Sequence, residues 1–448
     1  MSYPKTRLTR PIRLAIMISL IVLFFIISPL VLLYTAGYRY DWRTGQVRET
    51  GVISIDITPA DATVMLNGIV INKQMPIRLA NRAPGRYTLT IQKPGYHTLT
   101  KDIEVESKQT TYIRDVPLFK DTLPEEIFDA TIGESTYISL SYDGTLALEM
   151  SPSSTEKQIY TARIVDLITQ ETISQFTFSA STTPHGEWSP TSAYGMVRSF
   201  YDDIYTYHLF DANEQQAISS YTQKTTSTPM HQWQLNNTNA PLLLQDGELL
   251  LEGTVNGFSV QERIDHPVWY QDQEGSIWEF DTSLHILTQR NGKTITRSWK
   301  MDDVLVDILF AKNEFIIART TRGVAILTPD KELLSLQQLP TEMLQFDPER
   351  NDWITWSSSE VWRISSDGKP DLLTRLGLPI QHVYPMDEFG TLLLDTTEKL
   401  LAFHPQFYSI QSLFDRSVVN MNGINQKERI IYFSGKIGSR YSLFGLSY

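Results

Sequence analysis

The chain contains no cysteine. That excludes structural disulfides, thiolate zinc sites, a cysteine nucleophile and a lipidated N-terminal cysteine. Histidine is sparse: the eight residues, at 97, 185, 208, 231, 266, 285, 382 and 404, are scattered and form no His-Glu-x-x-His pair. No metal site is therefore expected. A Gly-x-Ser-x-Gly elbow, a glycine-rich phosphate loop and an Asp-x-Asp-x-Asp-Gly calcium loop are also missing, and with them the local marks of a serine hydrolase, a nucleotide enzyme and a calcium module. No cofactor is expected, and the sequence assigns no catalytic residue.

Long apolar runs are lacking too, with one exception. Leu14 to Ala36 is 23 residues without a charge. At ~1.5 Å per residue such a helix reaches about 34 Å, enough for a hydrocarbon core of ~30 Å. Lys5, Arg7, Arg10 and Arg13 precede it with no acid among them, and Tyr34, Tyr38, Tyr40 and Trp42 follow. Basic residues on one flank and aromatics on the other predict a single-pass anchor with the N-terminus in the cytoplasm. A cleaved signal peptide is the alternative. Against it, the run exceeds the usual h-region, and cleavage after Ala36 or Ser28 would need Tyr34 at −3 or Pro29 at +1. The expected layout is a cytoplasmic basic tail (1–13), a transmembrane helix (14–36), a linker (37–50) and an ectodomain beyond the cytoplasmic membrane. The 13 residues before the span are too few for a cytoplasmic output domain, so a sensing role would need a membrane partner.

Charge divides along the same line. Residues 1–48 hold seven Lys/Arg against one acid, for +6, whereas the remaining 400 hold 32 basic and 50 acidic side chains, for −18. So acidic a body repels phosphate backbones, and nucleic acid is not an expected partner. With 41% hydrophobic and 20% charged residues over 448 positions, the chain is neither disordered nor polytopic and has room for two or three domains.

From residue 51 the pattern has period two. Ile53, Ile55 and Ile57 alternate with Ser54, Asp56 and Thr58 up to Pro59, which describes a half-buried strand. Val64 and Leu66 lead into Asn67-Gly68, a hairpin signal because both turn positions need positive φ. Pro84-Gly85 introduces Tyr87, Leu89 and Ile91, and further strands follow Pro94-Gly95. Six or seven short strands over residues 51–119 predict a small β-sandwich. The order Pro59, Ala62, Val64, Asn67-Gly68, Pro76, Pro84-Gly85, Tyr87, Leu89, Ile91 and Gly95-Tyr96 resembles the PEGA domain, a module of bacterial and archaeal envelope proteins. It departs from that family at Ala60-Asp61-Ala62, where the name-giving Glu-Gly-Ala is not reproduced. The resemblance implies an extracytoplasmic binding or spacing module without catalysis, and gives none of these residues a ligand.

Beyond residue 120 the chain repeats itself. A bulky residue closes a short strand, a polar turn follows, and a second apolar strand returns. The unit recurs at Leu140, Trp188, Trp233, Trp269, Leu309, Phe346, Tyr384 and, degenerately, Gly423, with spacings of 48, 45, 36, 40, 37, 38 and 39 residues. Four strands per unit of about 40 residues is a β-propeller pattern. The fold class expected is therefore all-β, a small β-sandwich plus a seven- or eight-bladed β-propeller over 120–448, behind one transmembrane helix. The final unit is short of a strand, which residues near Ile127 to Ile132 are placed to supply, closing the ring. Two β-sandwiches are the alternative, but sandwich strands have no reason to recur in fours. SYDGTLAL and WSPTSAYGMV are similar to the Ser-Pro-Asp-Gly hairpin of TolB-like propeller repeats. Asp143-Gly144, Asp246-Gly247 and Asp367-Gly368 read as hairpin turns.

Large aromatics at blade spacing read as core. Trp356 and Trp362, separated by a polar segment, are the candidates for a ligand-stacking face if a loop exposes them. The function that fits is a membrane-anchored extracytoplasmic scaffold whose propeller engages a protein or a cell-envelope glycan. The alternative is an envelope hydrolase or lyase with its site in the channel, assembled from residues far apart in sequence.

Overall fold

A computed structural model describes residues 10–35, 37–41, 45–127, 136–153, 158–214, 218–224, 230–234, 241–330, 334–415, 419–437 and 440–448. The chain divides into two compact units, Met1–Lys120 and Asp121–Tyr448.

The first unit begins with α1 (Arg10–Thr35), which contains Pro29. Its apolar side chains, from Leu14 to Tyr34, are exposed on every side of the helix. By length and composition α1 is long and apolar enough to cross a membrane. Its last turn is capped from outside: the Arg39 guanidinium donates to the Tyr34 carbonyl at 2.6 Å and lies 3.6 Å above the Tyr34 ring. Trp42, expected in the aromatic flank, lies outside the described residues. The segment expected to be a linker contains a hairpin of β1 (Tyr38–Asp41) and β2 (Gln46–Glu49). Four-residue strands carry too little alternation to stand out from a loop in sequence.

The rest of this unit has two sheets. One has the order β6-β3-β9, from β3 (Gly51–Thr58), β6 (Ile77–Arg82) and β9 (Thr110–Pro117), with β3 and β9 parallel. The other has the order β5-β4-β7-β8, from β4 (Thr63–Leu66), β5 (Ile69–Val70), β7 (Gly85–Gln92) and β8 (Leu99–Val105). Ile53, Ile55, Ile57 and Ile113 of the first sheet and Val64, Leu89, Ile91 and Val105 of the second are almost wholly buried. The period-two pattern thus becomes the inner faces of a seven-stranded sandwich.

The second unit is a closed ring of eight four-stranded antiparallel sheets. The first strands of the blades are Tyr137–Leu140, His185–Trp188, His231–Trp233, Val268–Gln271, Leu305–Ala311, Met343–Asp347, Ile380–Pro385 and Val419–Asn425. The first strands of blades 1 and 2, 4 and 5, 6 and 7, 7 and 8, and 8 and 1 touch one another, which places the first strands toward the axis. Every repeat marker falls in one of these strands, seven of the eight in its second half. Among the described residues the blades number eight. Blade 8 consists of Val419–Asn425, Ile430–Ile437, Arg440–Ser447 and, outermost, β10 (Glu125–Glu126). Closure therefore uses Glu125–Glu126, extended by the Ile127 N–H on the Leu443 carbonyl, slightly earlier in the chain than Ile127 to Ile132; residues 128–135 lie outside the described ones.

The core of the ring lies between blades. Leu148, Met150, Trp188 and Val197 join blades 1 and 2; Tyr207, Leu209, Leu242 and Leu244 join 2 and 3; Ile138, Leu140, Tyr432 and Leu443 join 8 and 1. Closure in this form turns the first strands to the axis and leaves the outer strands, up to eight residues long, as sheet edges. Asp143-Gly144, Asp246-Gly247 and Asp367-Gly368 each place glycine at positive φ (66, 60 and 77°), as turns require.

Candidate functional site at the mouth of the channel

In five of the blades the end of the axial strand or the turn after it reaches one common cavity. Ser141–Asp143, Pro190–Ser192, Pro348 and Glu349, Tyr384 and Pro385, and Gln426 and Lys427, from blades 1, 2, 6, 7 and 8, surround a cavity of about 340 Å³. The turns are fixed by their own side chains. Ser141 Oγ donates to Asp143 Oδ1 at 2.7 Å, Ser192 Oγ accepts the Asp143 N–H at 2.9 Å, and Gln426 Nε2 donates to the Pro385 carbonyl at 3.0 Å. The Tyr142 hydroxyl donates to the Phe346 carbonyl at 3.1 Å. Blades 7 and 8 separate these partners around the ring, so Tyr142 reaches across the opening. Burial pushes its hydroxyl up to about 12, so the donor keeps its proton. Beside it, burial also raises the Asp347 carboxyl, to about 6, against the backbone N–H of Arg350. The site is mixed in polarity, with Asp143, Glu349 and Lys427 as its charged side chains.

Deeper along the axial strands is a charged cluster. His185 and Glu187 stand on the blade 2 strand and His231 on the blade 3 strand. Glu187 Oε1 lies 2.9 Å from His185 Nε2, and Oε2 lies 2.7 Å from His231 Nε2. Burial would raise this carboxyl, but the two imidazoles outweigh it and hold it well below the usual carboxylate range. Both its oxygens are thus occupied. Among the described residues neither imidazole meets a serine or threonine hydroxyl, and no group of three His, Asp or Glu side chains is arranged to hold a metal ion.

The aromatic candidates fall elsewhere. Trp356 is 6% exposed, packed with Ile354, Val361 and Ile380 between blades 6 and 7, with its indole N–H on the Gln381 carbonyl at 3.1 Å. It offers no face to a ligand, and the expectation of a stacking role is corrected on that ground. Trp362 is half-buried against the blade 4–5 core and donates to Glu360 Oε2 at 2.9 Å; the two rings do not form a common surface. The polar segment between them is a tight hairpin, closed by the Ser357 N–H on the Glu360 carbonyl, and does not lift either ring out of the blade.

In the first unit, Asn67 and Gly68 take φ of 50 and 77°, and Asn67 Oδ1 accepts the Thr88 N–H at 2.8 Å. Pro59 accepts the Ala62 N–H in the turn after β3. Pro84 and Gly85 open β7, where the Tyr87 hydroxyl donates to the Ala83 carbonyl at 2.8 Å. Gly95 (φ 77°) and Tyr96 turn the chain under Lys93. These residues make turns and are distributed around the sandwich.

Tyr142, Glu187, His185 and His231 carry no local motif. His185 and His231 each occupy the first position of an axial strand, and only the phasing of the repeats relates them.

Residues 50–120 match the PEGA domain family. No curated protein matches the chain. Among solved structures, the β-propeller domain of Cps50 (Swd1) from Myceliophteria thermophila is 11% identical, with a TM-score of 0.44, covering 72% of this chain and 100% of that one. The C-terminal WD40 domain of Sif2 is 11% identical, with a TM-score of 0.45, covering 73% and 99% respectively.

Proposed function

We propose that this protein is a single-pass membrane scaffold, N-terminus inside, whose PEGA domain and propeller stand outside the cytoplasmic membrane. The propeller holds a protein partner at the channel mouth. The observation that carries the reading is the cavity of about 340 Å³ framed by rigid turns from five blades, since loops fixed on a rigid ring are where propellers present binding groups. A glycan would need exposed aromatic faces, and Trp356 is buried, which favours a protein. The basic flank before α1 supports the orientation. The PEGA match supports an envelope setting.

The test is photo-cross-linking in cells from a benzoylphenylalanine placed at the exposed rim residues Thr191 or Lys427, with Val260, on the outer strand of blade 3, as control. A discrete protein adduct from the rim and none from Val260 is expected. Equal or no capture at the rim would overturn the reading. The second reading, a hydrolase or lyase in the channel, draws on the His185–Glu187–His231 cluster alone. It would require a substrate whose turnover disappears in Glu187→Gln while the rim cross-link persists.

A further inference from the structure

The hairpin of β1 and β2 follows α1 with almost no connecting chain. From Leu14 to Tyr34 the helix rises about 31 Å at ~1.5 Å per residue, matching a hydrocarbon core of ~30 Å. Tyr34 then falls at the edge of that core, and β1 begins four residues later. Hydrogen bonds hold the hairpin there. The Gly37 N–H donates to the Tyr34 carbonyl at 3.3 Å, and the Gly37 carbonyl accepts the Thr50 N–H and hydroxyl at 3.0 and 2.9 Å. Arg39, which caps α1, also donates through Nε to Asn81 Oδ1 at 2.8 Å. The Tyr38 hydroxyl donates to Glu49 Oε1 at 2.9 Å, and the Lys108 ammonium reaches both, at 3.1 and 2.9 Å. Side chains from β6 and from the turn between β8 and β9 thus join hairpin, helix end and sandwich.

Tyr40 and Val47 are directly opposite partners in this hairpin. With side chains alternating along each strand, they share the face of Tyr38 and Glu49. Both are exposed, at 51 and 54%. A tyrosine is favoured where its ring can leave water while its hydroxyl stays wet, as at a membrane boundary. The geometry points to the Tyr40–Val47 pair as a lipid-docking surface. The two side chains enter the boundary between headgroups and acyl chains, and the Lys108 ammonium stands at headgroup level on the same face. The occupant is the phospholipid around α1, because α1 brings it there: Tyr40 is six residues from Tyr34, and the Arg39 clamp between them holds the hairpin to the helix end. Docked in this way, the hairpin fixes the attitude of the sandwich on the bilayer, which a loose linker would leave free to swing. This inference rests on the reading of α1 as a membrane span and adds a second, surface contact with lipid.

The chain has no cysteine, so one introduced cysteine takes a fluorophore selectively. The full chain carrying Val47→Cys, labelled with nitrobenzoxadiazole, is placed in nanodiscs of phosphatidylethanolamine and phosphatidylglycerol. A share of the lipid bears a nitroxide quencher, either near the acyl carbonyl or at mid-chain. Ala60→Cys is the control for depth: it is exposed in the turn after β3, at the far end of that eight-residue strand, about 26 Å along at ~3.3 Å per residue. Ile21→Cys, within α1, reports the span itself. The nitroxide near the carbonyl is expected to quench the label at position 47 at least threefold more than the label at position 60. Equal quenching at the two positions overturns the inference. So does a label at position 47 that is shielded from aqueous iodide yet not quenched by the lipid nitroxide, since a protein would then cover the pair. If the mid-chain nitroxide quenches the label at position 21 while neither nitroxide quenches that at 47, this inference falls and the membrane span stands; if neither label is quenched, both fall.

Discussion

Gly144→Ala is expected to destabilise the propeller by about 2–5 kcal/mol, whereas Gly247→Ala costs only about 1–2 kcal/mol. Both glycines sit in turns with left-handed φ, at 66 and 60°, so both substitutions carry the same conformational cost of ~1–2 kcal/mol. They differ in what surrounds them. A Cβ on Gly144 would stand 2.4 Å from the Ile424 carbonyl oxygen and 2.6 Å from the Asn425 nitrogen, whereas one on Gly247 meets nothing within 4 Å. Ile424 and Asn425 belong to the axial strand of blade 8, and Asn425 Nδ2 also donates to the Gly144 carbonyl at 3.2 Å. The added methyl therefore pushes on backbone at the seam where blade 8 meets blade 1, and no side chain can rotate aside to relieve it. Overpacking of this kind adds ~1–3 kcal/mol or more, a large share of a typical stability of ~5–15 kcal/mol. Calorimetry should show the propeller transition shifted down in Gly144→Ala and the sandwich transition unmoved. Equal shifts for the two variants would mean that blades 1 and 8 do not meet as described.

Arg290→Met is the second large effect, expected at about 3–5 kcal/mol. Arg290 is 8% exposed and holds two carboxylates, with Nε 2.6 Å from Glu279 Oε2 and Nη1 on Glu262 Oε1. It also donates to the carbonyls of Arg263 and Gly292 at 2.7 and 2.8 Å. Glu262 and Arg263 belong to the outer strand of blade 3, while Glu279 and Arg290 belong to blade 4. One guanidinium thus ties two blades together. Methionine fills much of the volume but leaves Glu279, 2% exposed, with an uncompensated charge; most of the cost arises there, since a buried pair itself adds little over apolar packing. The triple variant Arg290→Met, Glu279→Gln, Glu262→Gln should recover most of the loss in urea unfolding. A single variant as stable as the parent would show that the guanidinium is not the tie.

These two sites also mark how far sequence alone could reach. The ring was legible because seven of the eight markers, Trp269 excepted, lie in the second half of an axial strand, and packing between similar neighbouring blades imposes a period. The sandwich was legible for the same reason at period two: Ile53, Ile55 and Ile57 face one core. Turns such as Asn67-Gly68 declare themselves because few residues tolerate positive φ. The mouth and the cavities were not legible. Tyr142 meets Phe346 across 204 positions and His231 meets Glu187 across 44, and nothing in either local sequence records the partner. Trp356 misled because a tryptophan beside a polar hairpin looks exposed until its neighbouring blade is in place. The hairpin of β1 and β2 escaped notice because its strands are too short to show a period.

The proposed role turns on the propeller lying outside the cytoplasmic membrane. A reporter enzyme that is active only outside the cytoplasm, fused after Tyr448, tests this most directly. Activity equal to that of a secreted control, retained in the membrane fraction after salt and carbonate washing, is the predicted result. An inactive reporter, or a propeller released from the membrane by cleavage after α1, would contradict it.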